Sequence, residues 1–134
     1  MEACIFCSIA NKQIPSAIVR ESETCLAFLD NSPNAAYHTL IIPKAHYENM
    51  IDVPLPVLQD VTEMMHQVCQ LNSQKIGIDS FQFFNNAGPH SAQSVLHLHF
   101  HVLPRYHGDP IKFSAPRMPD LVKQYPEMLA RLRA

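Results

Sequence analysis

Apolar and polar positions divide the chain into segments of two different periods. From Leu96 to Leu103 the order Leu-His-Leu-His-Phe-His-Val-Leu alternates almost strictly, the two-residue period of a strand. From about Leu55 to Lys75 the apolar residues Leu58, Val61, Met65, Val68 and Leu71 recur at three- and four-residue steps. They form one stripe of a long helix, which Gly77 ends. Shorter apolar runs predict more strands: Ala17 to Arg20 and Cys25 to Asp30, around the polar turn Glu21-Ser22-Glu23-Thr24, then His38 to Ile42, closed by Pro43, and Phe81 to Asn85. The histidine-bearing strand is expected over Val95 to Leu103. Ile5 to Ala10 reads as a short helical turn, and Asn31 to Asn34 as a loop. A polar loop through Gly88-Pro89 joins the last two strands. A terminal helix between Asp120 and Arg133 requires Pro126 to sit in its first turn. Strands on both sides of one long helix, mostly with hairpin-length links, predict an α+β fold. The expected architecture is an antiparallel sheet of about five strands, packed by the long helix and the short N-terminal one.

Composition narrows the functional classes. A chain of 134 residues with 47% apolar content suits one domain, residues 1–134, with a real core. The formal net charge is −2, so the one-sided basic surface of a nucleic-acid-binding protein is not expected. No apolar run approaches the ~20 residues of a membrane helix. The start, Met1-Glu2-Ala3-Cys4, lacks the pattern of a signal peptide, which predicts a cytoplasmic protein without a membrane partner. Cys4, Cys7, Cys25 and Cys69 are then expected as thiols or metal ligands rather than disulfides. Cys25 and Cys69 read as small core residues.

The eight histidines are in excess for this length, and their placement carries the chemistry. On a strand, His97, His99 and His101 share one face, with Leu98, Phe100 and Val102 on the other. The apolar face suits the long helix. The histidine face is expected to look into a wet or ligand-filled site, because three imidazoles rarely all find partners in a dry core. Surface histidines and a metal site compete with a catalytic reading. The outer pair lies ~13 Å apart along a strand, so at most two of the three can share one ion. Neutral histidine is also a nucleophile toward phosphorus and can leave again from a covalent intermediate. Gln93, Ser94 and their amides, with Asn86, are polar groups that suit a phosphate.

The stretch Asn86 to Arg105, with its His-x-His-x-His and two following apolar residues, closely resembles the signature of the histidine triad (HIT) nucleotide hydrolases and transferases. Three further blocks match in order: Ile5-Phe6-Cys7-Ser8-Ile9 with Ile14-Pro15, Ala27 to Pro33, and His38 to His46. The resemblance covers roughly residues 4 to 106 and leaves residues 107–134 as a variable tail. It implies a HIT-like fold, a homodimer and a purine nucleotide substrate. His99 would attack the α-phosphorus, and water would then release the nucleoside monophosphate. The His97 carbonyl would orient His99. His101, Gln93 and Ser94 would contact phosphate oxygens or the leaving group, His38 would complete the histidine cluster, and Asn86 would lie on the phosphate side. Asp30 would hold the ribose, with Ile5, Phe6, Ile9 and Phe28 lining the base pocket. Plain core packing is an equal reading for Ile5, Ile9 and Phe28. Asp30 can also be a turn residue, and His38 a structural one.

By the same resemblance, Cys4, Cys7, His46 and His97 would form a closed structural zinc site, as in many bacterial members. A pair of buried thiols with a solvent-facing His46 is the plainer alternative. Two positions depart from the family pattern. Ala92 stands where glycine is usual, and Asn31 where an apolar residue is usual. The resemblance also implies a branch: the uridylyltransferases carry glutamine where this chain has His101, which disfavours sugar-nucleotide transfer, and Pro104-Arg105 looks more like the dinucleoside polyphosphate hydrolases, with the phosphoramidases close behind. A nucleotide-binding regulator of low turnover and a histidine-rich metal carrier are the rival classes.

Overall fold

The computed structural model describes residues 4–134. Met1 to Ala3, on which part of the signal-peptide reading rests, lie outside the described residues. The elements follow in the order α1 (Ile5–Ala10), β1 (Ile18–Glu21), β2 (Cys25–Leu29), β3 (Thr39–Pro43), α2 (Leu55–Ile76), β4 (Ser80–Phe84), β5 (Phe100–Arg105) and α3 (Tyr125–Arg133). Turns of 3₁₀ helix lie at Pro89–Ser91 and Pro119–Gln124. The five strands make one antiparallel sheet in the order β1-β2-β3-β5-β4. This is the expected α+β architecture. No helix among the described residues is long and apolar enough to cross a membrane.

The central strands are buried on both faces, which explains their continuous apolar runs. Leu26, Phe28, Leu40 and Ile42 pack with Phe6, Ile9 and Ala10 of α1. Cys25, Ala27, Ile41 and Val102 pack with Val61, Met64 and Val68 of α2. The most buried line on α2 is therefore Val61, Met64, Val68 and Asn72, while Leu58, Met65 and Leu71 of the expected stripe are only half-buried. Gly77 ends α2 at φ 71°, where its N–H bonds back to the Asn72 and Ser73 carbonyls. Pro126 falls in the first turn of α3, as that helix requires.

One expected element is shorter than its alternation suggested. The predicted strand Val95 to Leu103 starts only at Phe100. Pairing with β3 stops at Ile41, opposite Phe100. Nearby Pro43 has no N–H to offer a ladder. Other groups satisfy the backbone there. Leu98 N–H donates to the Tyr47 carbonyl at 2.7 Å, and Asn85 Nδ2 donates to the His99 carbonyl at 2.8 Å. His97 and His99 therefore sit in an irregular run, and only His101 is on the strand.

Candidate functional site

The histidine run meets α1 rather than open solvent. Phe6 packs edge-on against both His97 and His99, with ring centroids 5.9 and 5.0 Å away. His97 is 0% exposed and His99 only 4%. The rings of His97 and His99 are thus nearly dry on the face expected to take a ligand, with one nitrogen of each bonded to a backbone carbonyl. What distinguishes the rings is which nitrogen each partner takes.

A carbonyl oxygen can only accept, so the proton on each ring can be assigned. His97 Nε2–H donates to the Pro43 carbonyl at 2.8 Å, which leaves Nδ1 with a lone pair. His99 Nδ1–H donates to the His97 carbonyl at 2.8 Å, which leaves the lone pair on Nε2. That Nε2 has no hydrogen bond among the described residues. The one buried side-chain polar atom without a partner there is Asn72 Oδ1, so His99 Nε2 is open to a ligand. His38 Nδ1 accepts from the Asn34 N–H at 3.0 Å, so His38 carries its proton on Nε2. It donates that proton to His101 Nδ1 at 2.9 Å. His101 is thereby the Nε2–H tautomer, a donor beside His99, whose ring lies 5.2 Å away.

Burial pushes the His38 imidazole below the usual histidine range, although Asp30 opposes this. Burial, then the charges of His99 and His38, hold His101 down at about 4. His101 is thus a neutral donor at neutral pH. Asp30 Oδ1 accepts from the Ser32 N–H at 2.7 Å in a turn. Its Oδ2 lies 3.6 Å from His38 Nε2.

Cys4, Cys7, His46 and His97 come together at the other end of the run. His97 Nδ1 lies 3.5 Å from Cys4 Sγ, 3.4 Å from Cys7 Sγ and 3.2 Å from His46 Nδ1. Cys7 Sγ lies 3.3 Å from His46 Nδ1. Ligand bonds of ~2.0–2.3 Å to one tetrahedral ion put donor atoms roughly 3.3–3.8 Å apart, close to these separations. The His97–Pro43 hydrogen bond is the outer partner that metal-bound histidines usually have. Burial and then Cys4 push the Cys7 thiol up to about 11. The four donors therefore fit a metal ion. Asp30, His38 and His101 also cluster, but a hydrogen bond already joins His38 and His101.

Other expected site residues are placed less simply. Gln93 faces backbone: its Oε1 accepts from Gly88 N–H at 2.8 Å, and its Nε2 donates to the Glu48 and Val95 carbonyls at 2.7 and 3.1 Å. It braces the loop before the histidines. Ala92 in that loop adopts φ 61°, the left-handed region that a glycine would hold without strain. Ser94 is exposed and Asn86 half-buried. Phe6, Ile9 and Phe28 share one core cluster, while Ile5 is 47% exposed. His66, His90 and His107, which carried no signal in the sequence, are exposed.

Sequence reasoning missed three contributors. Asn85 holds the His99 carbonyl, and the Asn34 N–H fixes His38. Phe84 lies flat against His101, with centroids 4.0 Å and planes 13° apart. Its strand position opposite His101 was the one available signal.

The sequence profile of the HIT domain matches residues 11–108. The chain belongs to the HIT family. An uncharacterised HIT-like protein of Methanocaldococcus jannaschii is 40% identical over 120 residues, which is 88% of this chain and 92% of that protein. Saccharomyces cerevisiae adenosine 5′-monophosphoramidase HNT1 is 36% identical over 77% of this chain and 63% of its own length. Arabidopsis thaliana adenylylsulfatase HINT3 is 32% identical over 79% and 54%. Among solved structures, a HIT family member from Bacillus subtilis superposes with TM-score 0.85 at 32% identity, covering 97% of this chain and 96% of its own. A zinc-bound histidine triad protein from Mycobacterium smegmatis gives TM-score 0.78 at 28% identity, covering 98% and 96%.

Proposed function

We propose that this HIT protein is a hydrolase that cleaves at the α-phosphate of a purine nucleotide through a covalent nucleotidyl-His99. Its substrates are dinucleoside polyphosphates or nucleoside phosphoramidates. One observation carries the reading: a nearly buried imidazole has one nitrogen tied to a carbonyl and the other open to a ligand. The named activities of the yeast and plant relatives both concern an adenylyl group bonded to a different leaving group, which supports attack at the shared phosphorus.

In this reading His99 Nε2 donates its lone pair to phosphorus as the bond to the leaving group breaks, its electron pair going with the departing group. A nucleoside polyphosphate leaves as its anion, and an amine leaves after its nitrogen has taken a proton from solvent. His101 Nε2–H hydrogen-bonds the charge that develops on oxygen. Water then attacks the same phosphorus. The N–P electron pair returns to His99, the nucleoside monophosphate departs, and the proton from water passes to solvent. Asp30 Oδ2 takes a ribose hydroxyl, while Phe6 and Phe28 bound the base side. Cys4, Cys7, His46 and His97 would hold zinc as a structural ion, whose charge would balance the two thiolates and tie α1 to the histidine run. A homodimer belongs to the same reading, since Val122 and Leu132 of the C-terminal segment are apolar and exposed.

The test is a substrate panel of adenosine and guanosine phosphoramidates and diadenosine polyphosphates, with quenched samples weighed by intact mass spectrometry. Turnover with a nucleotide adduct that disappears in His99→Ala is the expected result. Tight nucleotide binding without turnover or adduct would leave a regulator instead.

A further inference from the structure

The aromatic rings of the site form a row that passes the phosphate-facing histidines in both directions. On one side Phe28 meets Phe6 edge-on at 5.7 Å, and Phe6 meets His99 at 5.0 Å. On the other side Phe84 stacks on His101, and Phe113 meets Phe84 edge-on at 5.9 Å. The row therefore has an aromatic pair at each end and the two histidines in the middle.

The second pair is built from two separate parts of the sequence. The pairing of β4 with β5 sets Phe84 opposite His101. Phe113 belongs to the tail beyond the HIT-domain match, and an ion-paired turn brings it back. Arg105 donates from Nε and Nη2 to the two Asp109 carboxylate oxygens at 2.7 Å each, and from Nη2 to the Ile111 carbonyl at 2.9 Å. The Asp109 carboxylate also accepts from the Tyr106 and Ile111 N–H groups at 3.1 and 3.3 Å. The Arg105 guanidinium carbon lies 5.9 Å from the Phe113 ring centre. Bidentate pairs of this kind fix geometry as well as charge. Even so, 56% of Phe113 stays exposed, so the turn holds an aromatic surface at the edge of the site rather than burying it.

We propose that Phe84 and Phe113 form a leaving-group subsite for a flat aromatic group. The favoured substrate then carries a second nucleobase beyond the scissile phosphorus, as a dinucleoside polyphosphate does. This rests on the reading of His99 as the nucleophile. A nucleotide with its base near Phe6 and Phe28 places its α-phosphorus at the histidines. Attack in line drives the departing group away from His99, toward His101 and Phe84. Ammonia and sulfate have no face to stack. A nucleobase does, and stacking on an aromatic side chain is sequence-tolerant and strong enough to alter binding by about tenfold.

The test compares kcat/KM for diadenosine tetraphosphate and adenosine phosphoramidate in wild type, Phe113→Ala and Phe113→Tyr. In Phe113→Ala the preference for the dinucleotide should fall about tenfold, mainly through KM, and Phe113→Tyr should retain it. A ratio within twofold of wild type in Phe113→Ala, or an equal loss in Phe113→Tyr, overturns the subsite. Calorimetry of diadenosine tetraphosphate binding to His99→Ala, with and without Phe113→Ala, separates this proposal from the catalytic one. If wild type turns over neither substrate, the hydrolase reading fails. Weaker binding in the double variant still supports the subsite, whereas equal affinity or no binding overturns it.

Discussion

His97 and His101 lie four residues apart on one run, and burial holds both imidazoles below the usual histidine range. Their surroundings put them to opposite uses. At the His97 end, a carbonyl takes Nε2–H and leaves a lone pair facing two thiols and a second imidazole. At the His101 end, another histidine donates to Nδ1 and leaves the proton on Nε2. His99, between them, is inverted relative to His97, with its proton on Nδ1 and its lone pair on Nε2. In the proposed reading, one hydrogen bond per ring thus separates a metal ligand, a nucleophile and a donor. The residue type alone does not distinguish them, and neither does the alternation.

The largest effect expected from breaking this comparison is on the middle ring. His99→Ala should lower turnover by at least about 10³-fold and leave the melting temperature near wild type, as steady-state kinetics and calorimetry will show. Breaking the His97 end should do the reverse. Under the proposed zinc site, Cys7→Ser should lose the ion that wild type carries, measured by atomic absorption, and lower Tm by roughly 10 °C. Retention of the ion by Cys7→Ser would remove that cysteine from the ligand set.

His38→Ala sharpens the other end, because it deletes the donor that fixes the His101 tautomer. Turnover should fall ~10²-fold with little change in bound metal. Acid tests the same pair through stability. His38 and His101 resist protonation when folded, while unfolded histidine takes a proton near 6.5. The stability that these rings contribute is complete above that value and is lost as pH falls toward 4. The urea midpoint should be lower at pH 4.5 than at pH 7.5, and the drop should shrink in His101→Gln. The smallest effect is expected in the loop before the run. Ala92→Gly should stabilise by about 0.5–1 kcal/mol by relieving the left-handed backbone, a gain of a few degrees in Tm.

Much of the frame was legible because its signals are local. The 3.6-residue period gave α2 and the two-residue runs gave the strands, and Gly77 marked the end of the helix. The four donors of the metal cluster and the His97–His99 contact followed from the family resemblance, and the structure brings them together. The start of β5 was not legible, since it depends on Pro43 in a neighbouring strand. Gln93 was read as a phosphate contact from its place in the motif, whereas its hydrogen bonds run to Gly88, Glu48 and Val95. Asn34 and Asn85 act through single hydrogen bonds to residues 4 and 14 positions away. Such partners leave no periodic trace.

The nitrogen assignment of the three rings can be read directly by long-range ¹H–¹⁵N correlation NMR on histidine-labelled protein at pH 7.5. The hydrogen bonds predict the Nε2–H form for His97, Nδ1–H for His99 and Nε2–H for His101. A spectrum showing His99 protonated at Nε2 would contradict it, because the nitrogen meant to attack phosphorus would then hold a proton instead of a lone pair.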